Sequence, residues 1–261
     1  MLRIAVIGVG EAGQHYLAGF ARGGAEASWY DPFAAEPISN GIEGSTSLAQ
    51  ALQGAELVVS LVGASAAAEV CRAAVAELGP TAIYADFNTG APAAKRELAA
   101  IAASAGVGFV DVAVMAPVPR AGIGTPLLAS GTAATSFAGL LRRFGSEVTV
   151  VGPEAGSAAA RKLLRSVFMK GLAAVLLECQ AAGDAAGCWD WLAEDISGEL
   201  SAAGPELMER LLLGSRQHAV RRRHEMADAA AFLAELDAPS DVAQAAARWF
   251  ERLIREAADA G

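Results

Sequence analysis

The tightest constraint on the fold lies at the start of the chain, where an apolar run at residues 3–7 (RIAVI) breaks directly into Gly8-Val9-Gly10-Glu11-Ala12-Gly13. A continuous β-branched run of this kind predicts a strand buried on both faces. Each glycine has its own duty: Gly8 permits a tight turn, Gly10 lets backbone approach a pyrophosphate, and Gly13 lets the following helix, residues 14–22, pack close to the strand. The helix N-terminus, with the backbone of Glu11, Ala12 and Gly13, then presents free N–H groups to phosphate oxygens.

A second strand, residues 27–30, ends in Asp31, 23 residues beyond Gly8. A carboxylate there is suited to accept hydrogen bonds from an adenosine ribose; the alternative is that it caps a turn. The same charge would repel an added 2′-phosphate by roughly 1–4 kcal/mol per charge pair at 4 Å, and Pro32 and Phe33 bring no cation to offset it. NAD is therefore preferred, with NADP left open.

Strand and helix patterns go on alternating, with strands at 56–62, 82–87, 108–115 and 148–151 and helices at 65–77 and 92–105. This rhythm predicts an α/β fold built on a Rossmann-type doubly wound parallel sheet. Ligands of such sheets lie beyond the carboxyl ends of the strands. The loops at Gly63-Ala64, with Val62 before it, Asn88-Thr89 and Ala116-Pro117 should therefore rim the cofactor, although Asn88 and Thr89 also read as a plain turn.

From residue 154 the pattern changes. Residues 154–182 form a long, apolar, Pro-free run, punctuated by Gly152-Pro153 before it and Gly183 after it. At 1.5 Å per residue this helix would reach on the order of 40 Å. It is predicted to join two domains, 1–152 and 153–261. Beyond it the pattern is wholly helical, at 189–202, 205 to 224 or 226, 227–236 and 240–258, giving an all-α C-terminal domain. Lys162, Arg165, Ser166, Met169 and Lys170 fall on one face of the long helix. A polar stripe on an apolar helix suits a cleft wall, or else is simply solvated.

The net charge of -9 leaves no electrostatic footprint for nucleic acid or an anionic membrane, and no segment offers about 18 uninterrupted apolar residues with membrane flanks. Cys71, Cys179 and Cys188 lack CxxC spacing, which points to a reduced, cytoplasmic setting. His218 and His224 are poorly spaced for one helix face and have no ligating neighbours, so no metal is expected. His15 should pack beside the cofactor. Trp189, Trp191, Phe232 and Trp249 read as core or dimer-interface anchors. Arg216 and Arg221 to Arg223 read as a solvated face, or as arms that reach a substrate anion in a partner subunit.

The GVGEAG turn, Asp31, DFNT at 86–89, DVAVMAPV at 111–118 and a lysine on the helix beyond together resemble the β-hydroxyacid dehydrogenases, the superfamily of 3-hydroxyisobutyrate and 6-phosphogluconate dehydrogenases. RSVFMKGLAAVLLE at 165–178 and RRRHEM at 221–226 resemble its subgroup with an all-helical, phosphogluconate-dehydrogenase-like C-terminal domain of unknown function. The resemblance implies NAD(P)-dependent hydride transfer to or from a small anionic β-hydroxy acid or related alcohol, a lysine general acid/base, and a homodimer built by the helical domain. It puts Lys162 at the catalytic lysine position and Ser166 where an Asn is usual. Lys170 is a rival for proton transfer or a holder of a substrate anion, with Arg165 a further substrate contact. Met115-Ala116-Pro117 stands where 3-hydroxyisobutyrate dehydrogenase-like enzymes bind the substrate carboxylate with Ser-Gly-Gly, and Pro117 has no N–H to donate. The alternatives are imine reduction on the same architecture, against which Lys162 argues, and an NAD-sensing dimer without turnover.

Overall fold

Four of the five residues of β1 (Arg3–Ile7) are buried, and around this strand the N-terminal part winds outward in both directions. The computed structural model describes residues 1–34, 42, 44–201 and 204–259. In chain order β1 is followed by α1 (Glu11–Arg22), β2 (Glu26–Tyr30), α2 (Leu48–Leu52), β3 (Leu57–Ser60), α3 (Ala67–Val75), β4 (Ile83–Asp86), α4 (Pro92–Ser104), β5 (Gly108–Val114), α5 (Val118–Ala121), β6 (Leu127–Ser130), α6 (Ala134–Arg142), β7 (Val148–Gly152) and α7 (Ser157–Ala185). The strands make one sheet in the order β2-β1-β3-β4-β5-β6-β7. The chain reverses direction across the sheet between β2 and β3, which leaves a crevice at the carboxyl ends of β1 and β3.

One face of the sheet packs Ile4, Val6, Val59 and Val110 against Leu17 and Phe20 of α1 and Phe137 of α6. The other packs Ala5, Ile7, Val58, Tyr84 and Phe109 against Cys71 of α3 and Leu98 of α4. Helices cover both faces, so the fold is Rossmann-like and doubly wound.

The sheet is not wholly parallel. The sequence pattern omits β6, which runs antiparallel to β5, while β7 returns parallel to β6. The link from β5 to β6 holds a four-residue helix, α5, and a single 3-10 turn at Gly122–Gly124; α5 rises about 6 Å and cannot carry the chain back along a strand of about 20 Å. The chain therefore turns and pairs in the reverse direction.

The chain divides into two compact units, Met1–Arg165 and Ser166–Gly261, a division that falls inside α7. Gly183 does not end this helix. A Cβ there would lie 3.1 Å from Trp189 Cα, so it is a close-packing glycine. The end is made by Gly187, at φ +70, where Cys188 N–H bonds to Gly183 O at 2.8 Å and Gly187 N–H to Asp184 O at 3.1 Å, a Schellman closure.

Unit 166–261 continues with α8 (Trp189–Ser201), α9 (Pro205–Gln217), α10 (Ala219–Glu235) and α11 (Asp241–Asp259). Residue 202, the predicted end of the first of these, lies outside the described residues. The expected helix boundary near residue 226 is displaced to His218. There the backbone leaves the helical region and Arg222 Nη1 donates to Ser215 Oγ at 2.8 Å across the break. Glu178 of α7 caps α11, accepting from Val242 N–H at 2.7 Å and Ala243 N–H at 2.8 Å. Among the described residues α7 is long and apolar enough to cross a membrane by length and composition, with mean hydropathy 1.2 over its window. That qualifies the sequence expectation, because Leu, Val and Ala between the charged residues carry the average.

Candidate active site

The glycine turn is held by backbone contact. Gly8 has φ +87, and a Cβ on it would sit 2.5 Å from Leu61 O; a Cβ on Gly13 would sit 2.1 Å from Gly8 O. Gly10 is different: nothing lies within 4 Å of its would-be Cβ. The cradle it leaves opens at the N-terminus of α1, whose N-cap has no side-chain hydrogen bond, so a diphosphate fits against Gly10 and the N–H groups of Glu11, Ala12 and Gly13.

Beside this turn a cavity of about 300 Å³ is lined by Gly8, Gly10, Asp31, Pro32, Phe33 and Val62, among others. Asp31 at the end of β2 is pinned from two sides, Oδ2 accepting from Val9 N–H at 3.0 Å and Oδ1 from Phe33 N–H at 2.9 Å. It does cap its own turn, yet each oxygen keeps a lone pair for a ribose hydroxyl. The two sequence readings of Asp31 are compatible.

The second part of the site is a narrow crevice lined by Asn88, Thr89, Lys95, Asp111, Ala159 and Lys162, with others. Lys162 Nζ donates to Thr89 Oγ1 at 3.2 Å. Asn88 is buried, and its Oδ1 accepts from Gly63 N–H at 2.7 Å, which ties two of the predicted rim turns together. Gly63 itself has φ +91, a conformation suited to glycine. Of the α7 stripe, Lys162 and Ser166 are half-buried while Arg165, Met169 and Lys170 are exposed. At the end of β5, Met115 N–H is already donated to Pro126 O at 3.0 Å.

Beneath the crevice lies a polar row that sequence reasoning did not single out. Ser60, Asp86, Asp111 and Ser130 are register partners across β3, β4, β5 and β6, and all four are buried. Lys95 reaches them from α4, itself only 2% exposed: its Nζ donates to Asp86 Oδ2 at 2.6 Å and Asp86 O at 3.0 Å. It also lies 3.2 Å from Asp111 Oδ1, as an ion pair without hydrogen-bond geometry. Asp111 Oδ2 accepts from Gly156 N–H at 3.1 Å and Ala159 N–H at 3.0 Å, while Ser130 Oγ accepts from Ala158 N–H at 3.0 Å. Two buried carboxylates share one ammonium, and burial pushes the Asp86 carboxyl above its usual range although Lys95 and Asn88 pull it down. Leaving such a charge without its partner costs about 3–5 kcal/mol. Lys95 stands three and seven residues before Leu98 and Ala102, a spacing that puts it on the buried face of α4 but does not mark the ion pair.

A glycine cradle at β1–α1, a carboxylate ending β2 and polar turns at the carboxyl edge of a doubly wound sheet define an NAD-binding, dehydrogenase-like protein. Residues 3–152 match the family model described as the NAD binding domain of 6-phosphogluconate dehydrogenase, and residues 184–253 match a model described as Domain of unknown function (DUF1932). The chain belongs to the family that carries this NAD binding domain. It is 29% identical over 151 residues to the "Uncharacterized 28.5 kDa protein in 7S RNA 5'region" of Methanothermus fervidus, a match that spans 58% of this chain and 58% of that protein. A conserved protein of unknown function, described as structurally similar to 3-hydroxyacid dehydrogenases, is 28% identical with TM-score 0.64, over 97% of this chain and 96% of that one. An imine reductase from Aspergillus terreus, in complex with NADPH4 and dibenz[c,e]azepine, shares the fold at TM-score 0.81 and 21% identity, over 98% and 94% of the two chains.

Proposed function

We propose that the protein is an NAD(P)-dependent oxidoreductase in which Lys162 moves a proton while a hydride passes between the nicotinamide and a small β-hydroxy acid or related alcohol. The observation that carries this reading is the Lys162–Thr89 hydrogen bond of 3.2 Å, beside Asn88 at the carboxyl edge of the sheet. Bound dinucleotide supplies the hydride chemistry; the chain's own residues do the rest. Gly10 and the α1 N-terminus hold the diphosphate, and Asp31 accepts from the ribose and favours NAD over NADP by its charge. Thr89 orients the ammonium of Lys162, which gives or takes the proton at the substrate oxygen. Ser166 follows one turn along the same helix face and Lys170 two turns along. Arg165 beside them suits an anionic substituent.

Imine reduction is a second reading, favoured by one observation. Met115 N–H is spent on Pro126 O and Pro117 has none, so this segment keeps only the Ala116 N–H for a carboxylate. A C=N substrate needs a proton donor but no carboxylate pocket.

We infer that the protein assembles as a homodimer through the helical unit. Among its described hydrophobic residues only Ala219 and Ala243 are buried, whereas Val167, Phe168, Trp191, Phe232 and Trp249 are more than half exposed. A unit of this size without buried large side chains lacks a core of its own. A second copy would cover this surface, and the apolar length of α7 then serves association. A reduced, cytoplasmic setting goes with three cysteines that are all free.

The test is a panel of hydroxy acids, sugar acids, sulfonates and cyclic imines assayed with both dinucleotides. Lys162→Ala should bind NADH as the parent does and lose turnover by about 10²–10⁴. Retained turnover removes Lys162 from the role. Tight NADH binding with no turnover of any compound favours the sensing dimer.

A further inference from the structure

We propose that Lys95 is a positioning residue: one buried ammonium that ties both the cofactor-rim turn at Gly63 and the first turn of the lysine-bearing helix to a single point beneath the carboxyl edge of the sheet. For the role of Lys162 the proposal rests on the function argued above; for its geometry it does not.

The polar row is built across the sheet at one register level, Ser60 to Asp86 to Asp111 to Ser130, above a layer in which Val58, Tyr84 and Phe109 pack into the apolar core. Two arms leave Lys95 from that row. The first runs through Asp86, whose Oδ1 accepts from Asn88 Nδ2, and on through Asn88 Oδ1 to Gly63 N–H at 2.7 Å. The second runs through Asp111, whose Oδ2 accepts from Gly156 and Ala159 N–H and from Ser130 Oγ at 3.1 Å; Ser130 in turn accepts from Ala158 N–H.

The second arm satisfies the free N–H groups that open a helix. It does so with a carboxylate fixed to a strand and not with a residue of the helix's own turn. Gly156 adds a steric stop, since a Cβ there would meet Pro92 O at 2.7 Å. The height and rotation of the first turn of α7 are thereby set against β5, β6 and α4, and Lys162 follows Ala159 within one turn. Without Lys95 two like charges would face each other in a dry site, and both arms would lose their common anchor.

The experiment compares the full-length parent with Lys95→Met and Ser130→Ala by amide hydrogen exchange and NADH binding, and by kcat and KM once the panel yields a substrate. Ser130→Ala keeps both ion pairs and removes one link to α7 together with the hydrogen bond to Asp111 Oδ2. Exchange across residues 157–162 should rise about tenfold with β1 and α1 unchanged, NADH affinity should stay within about twofold, and kcat should fall about tenfold at constant KM, since misplacement costs rate. Lys95→Met should loosen residues 157–162 and the turn at Gly63 together and weaken NADH binding. Unchanged local exchange in Ser130→Ala, or a uniform rise over the whole chain, overturns the proposal, and Ser130→Ala decides alone if Lys95→Met does not fold. A parent that turns over nothing in the panel sinks the proposed function while the exchange pattern still judges Lys95. A parent that turns over while both variants keep kcat per folded molecule sinks the positioning role alone.

Discussion

Replacing Asp31 by Asn removes one charge from the adenosine cleft and changes little else in shape. In the parent the carboxylate is pinned by Val9 N–H at 3.0 Å and Phe33 N–H at 2.9 Å, so it cannot swing away from a 2′-phosphate. At about 4 Å, one charge pair costs roughly 1 kcal/mol in water and about 4 kcal/mol at an effective dielectric of about 20. Asp31 is only half-buried and its cleft opens to solvent, which selects the lower part of that range, about 1–2 kcal/mol. The ratio of NADPH to NADH dissociation constants should therefore fall by about 5- to 30-fold in Asp31→Asn. NADH itself should weaken by a few-fold, because its ribose hydroxyls lose a charged acceptor. Fluorescence titration with both reduced dinucleotides measures this directly. The parent's preference should shrink as salt rises, since the repulsion is partly screened. A parent that binds NADPH as tightly as NADH, or a ratio unmoved by the substitution, would show that Asp31 serves only its own turn.

Stability should depend on pH through Asp86. Its folded carboxyl is raised above 3.8 by burial, so above that value the folded state holds more proton than the unfolded one, and stability present at lower pH is lost as pH rises through the folded value. In Lys95→Met the opposing ammonium is gone and the window widens upward. Urea unfolding should find this variant about 3–5 kcal/mol less stable than the parent near neutrality and closer to it at about pH 5; a gap independent of pH would contradict the reasoning. For the helical unit, Phe232→Glu should shift sedimentation toward the monomer and lower the unfolding midpoint, and an unchanged dimer would place the interface elsewhere.

The elements legible in the sequence are those whose burial is uniform. β1, β3, β4 and β5 are mainly apolar runs, broken by Ser60, Asp86 and Asp111, because helices cover both faces of the sheet. β6 is four residues between Pro126 and Gly131, too short to show a period, and only its pairing with β5 makes it a strand. The break at His218 has a tertiary origin. The residues from 205 to 226 read as one helical pattern, and the break within them goes with Arg222 reaching Ser215 beside Gly214, where a Cβ would lie 3.0 Å from Arg222 Nη2. Propensity has no access to such a contact.

The same contrast separates the two halves of the site. Gly8 and Gly13 announce themselves in the motif because backbone crowding admits no Cβ at either, Gly8 holding φ +87 against Leu61 O and Gly13 lying against Gly8 O. Lys162 could be placed by resemblance and by the stripe it shares with Ser166. Lys95 could not, because a lysine spaced with Leu98 and Ala102 ordinarily lays its stem on apolar surface and returns its ammonium to water. What forbids that here lies on other elements. Asp86 ends β4 and pairs in parallel register with Asp111 in the middle of β5, the two 1% and 0% exposed, and two carboxylates that close in a dry layer require a cation between them. The carboxylates carried by consecutive buried strands were the sign to read, and α4, packed on that face, supplies the lysine that answers it.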